Sequence, residues 1–393
     1  MRAGQRLRSL RGICPRTANG SGERPFEILR RMIVRQRQRS PWCSAGRSVR
    51  CDHRGGTMSQ SFRLNRRAVI AGGLAAPFVL RSSFAMAATE LRLTHPADTS
   101  HPVHTAAEEM VGRIAERTGG EINITIFPNN ALGSPTDTAQ QTRMGAIDFI
   151  LMNPANIEAL SNSIGAINIP YQFDDYAHAH RVLDETARDW IEAQLLTAGF
   201  SWIANFEWGF RALSNSQRPV NTPEDVQGLR IRVPPELAIK AAFEALGAST
   251  QTVAFQEVYL ALANGLVDGQ DNPVSTTFAA KFYEAQDHLA LTKHIYATIM
   301  MCANPRVWND RLTEEQRAII SEEAVTAGAT ARAEVQSSEE DYIAQMEEMG
   351  IAVTRPEVEP FRARMEPAYE QLRATLGEET WTTWAELVDA ARA

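Results

Sequence analysis

From Thr89 onward, strand-length apolar runs alternate with segments of helical spacing. Leu91 and Leu93 with their polar neighbours read as a strand. Ala106, Met110 and Ile114 then recur at helical spacing, and Gly119-Gly120 stops the run. A strand over Ile122–Phe127, a helix over 136–144 and an apolar strand over 147–152 continue the rhythm, which implies an α/β layer with parallel pairing. A helix over 175–198 and strands over 200–205 and 211–214 follow. In a second block, Thr222-Pro223-Glu224-Asp225 has the cap, proline and acids of a helix start. The strand GLRIRV, a helix over 236–246, a strand over 250–253 and a helix over 255–264 repeat the pattern. Residues 288–302 read as one or two strands. Thr313-Glu314-Glu315-Gln316 is a capping box opening a helical run to about Met349. At 1.5 Å per residue such a helix spans ~50 Å, so it is expected to be a strut touching two domains.

The region before Thr89 is of another kind. Residues 1–57 hold 14 arginines, no lysine, three acids and three of the four cysteines, without periodicity, and suggest no packed fold. Met58 then opens an export-type signal over 58–87, with a basic start, an apolar stretch from Ala68 to Leu80 and the small-residue pattern Ala85-Met86-Ala87. Arg66-Arg67 resembles a twin-arginine signal, and Sec export fits as well. The apolar stretch is shorter than the roughly 20 residues that span a bilayer. We therefore expect translation to start at Met58, residues 1–57 to be an upstream extension that is not translated, and the product to be periplasmic.

Removing the +11 of residues 1–57 and the +4 of 58–87 from the formal −7 leaves −22 for the mature chain. Such a charge excludes global attraction to nucleic acid or anionic membrane, while leaving room for local anion capture by arginines. Only Cys302 remains in the mature chain, so neither an internal disulfide nor a cysteine metal cage is expected there.

No hydrolase, zinc-protease, dinucleotide or P-loop motif occurs, which favours binding over catalysis, with no catalytic residue, cofactor or metal expected. His178-Ala179-His180 is the single metal-like cluster. Residues two apart on a helix do not share a face, so it reads as a solvated helix start. The chemistry concentrates elsewhere. In GLRIRVPPE, Leu229, Ile231 and Val233 share one face while Arg230 and Arg232 share the other. Arg232 lies nearest the Pro234-Pro235 exit and is the arginine expected to reach a cleft; Arg230 is expected to be a paired surface residue. Arg211 in WGFRALSNSQRP sits in a similarly apolar setting, where a structural ion pair and a ligand contact both fit. Asn272 in LVDGQDNP is held extended by the proline after it. Phe255 reads equally as core or as a ligand lid.

The segments GFRALSNSQRPVNTPEDVQGLRIRVP, ALGASTQTVAFQEVYLALANGLVDGQDNP and the ALGSPT turn resemble the extracytoplasmic solute-binding proteins of tripartite ATP-independent periplasmic (TRAP) transporters, the DctP-type family. The resemblance covers essentially the whole mature chain. It implies an α/β, two-lobed periplasmic-binding-protein fold with a long helix crossing both lobes. The layout expected is 88–209 plus about 297–337 for the first lobe and 210–296 plus about 338–393 for the second. It implies that Arg232 clamps a substrate carboxylate in bidentate fashion, a role the planar guanidinium suits. It further implies that Arg211 and Asn272 assist, that Phe255 packs over the ligand, and that His95 and Asn153 supply polar contacts from the first lobe.

Ser134-Pro135 after the ALG turn and Asn153 in place of a glutamate depart from sialic-acid binders. The FEWGFR and RVPPE wording is similar to sugar-acid members, where Trp208 would stack on a sugar face. The resemblance thus implies a receptor without enzymatic activity. It would take a small organic acid, sugar acid first and C4-dicarboxylate or 2-oxo acid second, and hand it to the small and large membrane subunits of a TRAP transporter. A receptor feeding a sensor kinase is the alternative partner. Without the extra C-terminal arm of dimeric 2-oxo-acid binders, a monomer is expected.

Overall fold

The computed structural model describes residues 88–392, and the expectations for 1–57 and 58–87 lie outside them. The first block follows the alternation: β1 (Thr89–Thr94), α1 (Pro102–Arg117), β2 (Ile122–Phe127), α2 (Pro135–Arg143) and β3 (Phe149–Met152). Both β2 and β3 pair parallel to β1. Periodicity explains the packing of α1, because its face of Val103, Ala106, Met110 and Ile114 meets Leu91 and Leu93 in one apolar cluster. Each large aliphatic buried this way contributes about 1.5–3 kcal/mol.

The expected helix over 175–198 is two helices, α3 (Tyr176–Arg181) and α4 (Arg188–Ala198), separated by a π-helical turn at Val182–Thr186. The expected strands at 200–205 and 211–214 are one continuous strand, β4 (Ser201–Asn215). Glu207 and Gly209 suggest a break in sequence, yet both are accommodated. Glu207 is fully buried and accepts hydrogen bonds from Tyr296 Oη at 2.7 Å and Gln336 Nε2 at 2.9 Å, and pairs with His180 Nε2 at 2.6 Å. Gly209 absorbs the adjoining β-bulge at φ +99°, a conformation that favours glycine.

The second block contains β5 (Arg230–Val233), α5 (Leu237–Ala245), β6 (Ser249–Thr252), α6 (Val258–Ala263), β7 (Gly269–Pro273), α7 (Val274–Ala279), β8 (His288–Ala290) and β9 (Tyr296–Ala303). Thr222 opens only a short 3₁₀ turn at Pro223–Val226, and Phe255–Glu257 is a 3₁₀ turn ahead of α6. The long helix is α8 (Glu314–Glu348), started by the Thr313/Gln316 capping box as the sequence indicates. Beyond it lie β10 (Ala352–Thr354), α9 (Val358–Arg362), α10 (Glu366–Leu376) and α11 (Glu378–Ala390), which the sequence reading did not place.

Strand order along the main path is β2-β1-β3-β9-β4-β7-β5-β6, with β8 pairing both β4 and β10. Around β5, the neighbours β6 and β7 are parallel, mirroring the parallel trio around β1. The two trios are joined through antiparallel β9 and β4. From Ser201 to Phe210, β4 pairs with β9; from Arg211 to Asn215 it pairs with β7. The fold is therefore a two-lobed α/β architecture with one strand serving both lobes. Helix α8 crosses both, packing on α1 and β4 and then on α7 and β10. Its close approach to β4 requires Gly328, where a Cβ would collide with the Asn205 carbonyl. The C-terminal helices also span both: α10 packs on α5 and on the 3₁₀ segment Asn162–Asn168, and α11 packs on that segment and on the π turn.

Candidate functional site

Open α/β sheets bind ligands beyond the carboxyl ends of their parallel strands. Both trios point those ends at one cavity of about 160 Å³. From the first lobe come Pro96 after β1, Ser134, Pro135 and Thr136 at the start of α2, and Asn153 and Asn156 after β3. The second lobe supplies Arg232 on β5, Glu236 beyond its end, Phe255 after β6 and Asn272 on β7, while Trp208 and Arg211 come from β4. A neighbouring cavity of about 680 Å³ is also lined by Trp208 and Phe255.

The two arginines in this cavity differ in their surroundings. Arg211, 4% exposed, donates from Nε to Asp271 Oδ2 at 2.5 Å and from Nη2 to the Asp271 carbonyl at 2.7 Å. His294 Nε2 lies 3.0 Å from the same carboxylate oxygen. Burial opposes ionisation of both partners, but their mutual charge outweighs it, raising Arg211 and holding Asp271 well below the carboxylate range. Arg211 is thus neutralised within the fold. Arg232, 2% exposed, donates from Nε at 3.0 Å and from Nη2 at 2.8 Å to one backbone oxygen, that of Val253. Among the described residues no carboxylate lies within 4 Å of it. Burial lowers its pKa to about 10, leaving it a cation at neutral pH. Arg230 follows the sequence reading, pairing with Asp268 at the surface.

The remaining expected residues divide. Asn272 is buried, donating from Nδ2 to Gln270 Oε1 at 2.5 Å and accepting from Arg211 Nη2 at 3.4 Å, so its amide is tied to the Arg211 network while lining the cavity. Asn153 caps the 3₁₀ turn Pro154–Ile157, its Oδ1 accepting from the Ala155 amide at 3.0 Å, and also lines the cavity. Phe255 packs against Trp208 with ring centroids 6.5 Å apart and against Phe282 at 5.8 Å, and is both core and cavity wall. Trp208 has a buried Nε1 without a hydrogen-bond partner among the described residues.

His95 stands apart, because it does not line the cavity. Its Nε2 lies 3.1 Å from His104 Nδ1, and burial followed by the neighbouring histidines lowers its pKa to about 3. The neighbouring Pro96 lines the wall instead. His178 and His180 are not a solvated helix start: His178 Nε2 pairs with the Val388 carbonyl at 3.0 Å and His180 with Glu207. Among the described residues, no group of three or more histidine, cysteine or acidic side chains is placed to hold a metal ion. Cys302 is a fully buried core residue on β9.

Sequence reasoning missed Glu236 and Glu158. Glu236 follows the double proline and, at 5% exposure, brings a carboxylate into the cavity without a hydrogen bond or ion pair to any described residue. Burial and the facing charge of Glu158 push it up. Glu158, after β3, is also pushed up by burial, with the Leu237 amide at the start of α5 opposing the rise. The available signal was the acid closing RVPPE, next to a helix start yet unable to serve it as a cap.

Two α/β lobes sharing a strand, with a largely apolar cavity that carries a few charged and amide side chains at the carboxyl ends of both parallel trios, define a two-lobed solute-binding protein. The chain belongs to the bacterial extracellular solute-binding protein family 7, the DctP family, whose profile matches residues 93–375. It is 33% identical over 272 residues to the 2,3-diketo-L-gulonate-binding periplasmic protein YiaO of Escherichia coli, covering 69% of this chain and 83% of that protein. A TRAP periplasmic solute-binding protein from Roseobacter denitrificans, solved with bound β-D-glucuronate, superposes with TM-score 0.73 at 28% identity, covering 77% of this chain and 99% of that one. The sugar acid binding protein DctPAm from Advenella mimigardefordensis, in complex with galactonate, gives TM-score 0.74 at 26% identity, covering 77% and 99%.

Proposed function

We propose that this protein is the periplasmic receptor of a TRAP transporter, capturing a small organic acid, with sugar acids favoured, through the Arg232 guanidinium. The observation that carries this reading is charge: Arg232 is buried at the cavity with no ion pair within 4 Å among the described residues, only the longer-range attraction of Asp271 and Glu236, and its Nη1 makes no hydrogen bond to a described residue. A ligand carboxylate supplies the missing counter-ion, and the planar fork matches two carboxylate oxygens. Asn153 and Asn156 face it from the other lobe, so a ligand touching both walls favours the closed state by contacts absent when open. Trp208 and Phe255 offer apolar surface to a sugar ring's carbon face. The relatives' recorded ligands, 2,3-diketo-L-gulonate, β-D-glucuronate and galactonate, support the sugar-acid preference. The receptor acts as a monomer, does no chemistry, and delivers its ligand to the small and large membrane subunits.

The test is isothermal titration of D-glucuronate and D-galactonate into the protein and its Arg232→Ala and Arg232→Lys variants. Arg232→Ala is expected to weaken binding by about 100-fold or more, in the range seen when one partner of a buried charge pair is truncated. Arg232→Lys should restore only part of it. Micromolar binding retained by Arg232→Ala overturns the clamp.

A further inference from the structure

Arg232 is the one cavity-lining cation that the described residues leave without a counter-ion, since Asp271 already neutralises Arg211. It can therefore balance one ligand carboxylate. The same cavity holds a carboxyl group, Glu236, whose oxygens have no protein donor among the described residues. Glu236 precedes α5 but makes no side-chain cap, and among the described residues it forms no ion pair within 4 Å, while the charges of Arg211 and Arg232 attract it from further off. Its oxygens are therefore open to a hydrogen-bonding group of a ligand in the cavity.

Glu158 sharpens the chemistry. It approaches, from the first lobe, the Leu237 amide one residue beyond Glu236, and among the described residues its buried Oε1 has no hydrogen-bond partner. Two carboxyl groups from opposite lobes thus lie near each other beside the cavity. Burial raises both, and the charge of Glu158 adds to the rise of Glu236. A ligand hydroxyl suits Glu236 in either state, donating to the carboxylate or accepting from the carboxylic acid. A second ligand carboxylate suits neither, meeting two acids with no second free cation.

We propose that Glu236, backed by Glu158, is the specificity-determining residue of the cavity, accepting a ligand hydroxyl and selecting polyhydroxy monocarboxylates over dicarboxylates. The inference rests on Arg232 holding the carboxylate, as proposed above. A site built to pair a hydroxyl rejects analogues lacking it more strongly than an apolar pocket rejects extra bulk.

Isothermal titration with D-galactonate, D-gluconate and D-glucuronate on one side, and succinate on the other, tests it in wild type, Glu236→Leu and Glu158→Gln. Wild type is expected to prefer at least one sugar acid over succinate by about tenfold or more, a 1.4 kcal/mol difference. Glu236→Leu, which removes every hydrogen-bonding atom of the side chain, should narrow that preference by about tenfold, losing sugar-acid affinity and gaining succinate affinity. Glu158→Gln should shift the ratio in the same direction by less, and serves as the second reading if Glu236→Leu fails to fold by circular dichroism. Wild type binding succinate as tightly as the sugar acids, binding none of the four, or an unchanged ratio in Glu236→Leu overturns the proposal; if that variant does not fold, an unchanged ratio in Glu158→Gln does so. Arg232→Ala separates the two readings. Its loss of all four acids with the Glu236→Leu ratio unchanged sinks the hydroxyl reading alone, whereas retained binding by Arg232→Ala sinks the clamp.

Discussion

Two buried guanidinium groups share one cavity, and the fold treats them in opposite ways. Arg211 on β4 is paired with Asp271, whose carboxylate also meets His294; Arg232 on β5 donates only to the Val253 carbonyl. Burying a charge costs several kcal/mol unless it is paired. Stability thus accounts for the first arginine and offers no account of the second. The second is the one for which a ligand carboxylate is proposed above.

Breaking the Arg211 side should produce the largest effect. Asp271→Asn leaves a buried cation unpaired and is expected to lower unfolding free energy by about 3–5 kcal/mol, measured by urea denaturation. A loss below 1 kcal/mol would erase the contrast between the two arginines. The pH dependence gives the next effect, with opposite signs on the two sides. Asp271 is depressed, so its contribution is present above the unfolded carboxylate value near 3.8 and lost as pH falls below it. Glu236 is raised to about 8, so the folded protein holds more protons than the unfolded chain between about 4.5 and 8, and stability falls as pH rises through that window. One such proton gives a slope of at most about 1.4 kcal/mol per pH unit. Urea denaturation at pH 5, 6.5 and 8 should therefore find Glu236→Gln gaining on wild type as pH increases; parallel curves would contradict this. The smallest effect is the most diagnostic. Arg232→Met, which removes an uncompensated buried charge at similar volume, is expected to raise ligand-free stability by about 1 kcal/mol while abolishing acid binding. A destabilised Arg232→Met would mean that Arg232 belongs to the fold as Arg211 does.

Much of this is legible in the sequence where the signal is local. The parallel trios follow from alternation, α8 starts at its capping box, and the strand alternation of GLRIRV separates Arg230 from Arg232. What fails is what depends on distant partners. Glu207 looks like a strand break until Tyr296 and Gln336 are seen to satisfy it, 89 and 129 residues further on. Asp271 lies 60 residues from Arg211, so nothing near WGFRALSNSQRP shows that this arginine is spoken for. His95 is misplaced because a polar residue after a strand can turn towards a neighbouring helix as readily as into a cleft, and His104 on α1 draws it there. The C-terminal helices carry periodic apolar residues such as Leu372, Trp384 and Val388, but their packing across both lobes is set by surfaces assembled from far upstream.

β4 contributes ladder hydrogen bonds to both sheets along one unbroken backbone. Neither lobe is consequently a spare part. A chain cut at the middle of β4 hands each fragment a sheet with a raw edge, so the two pieces would seek each other or aggregate rather than stand alone. The closure proposed above would have to bend that shared strand, and the bulge at Glu207 and Gly209 is the one place between Ala204 and Asn215 where its ladder is interrupted.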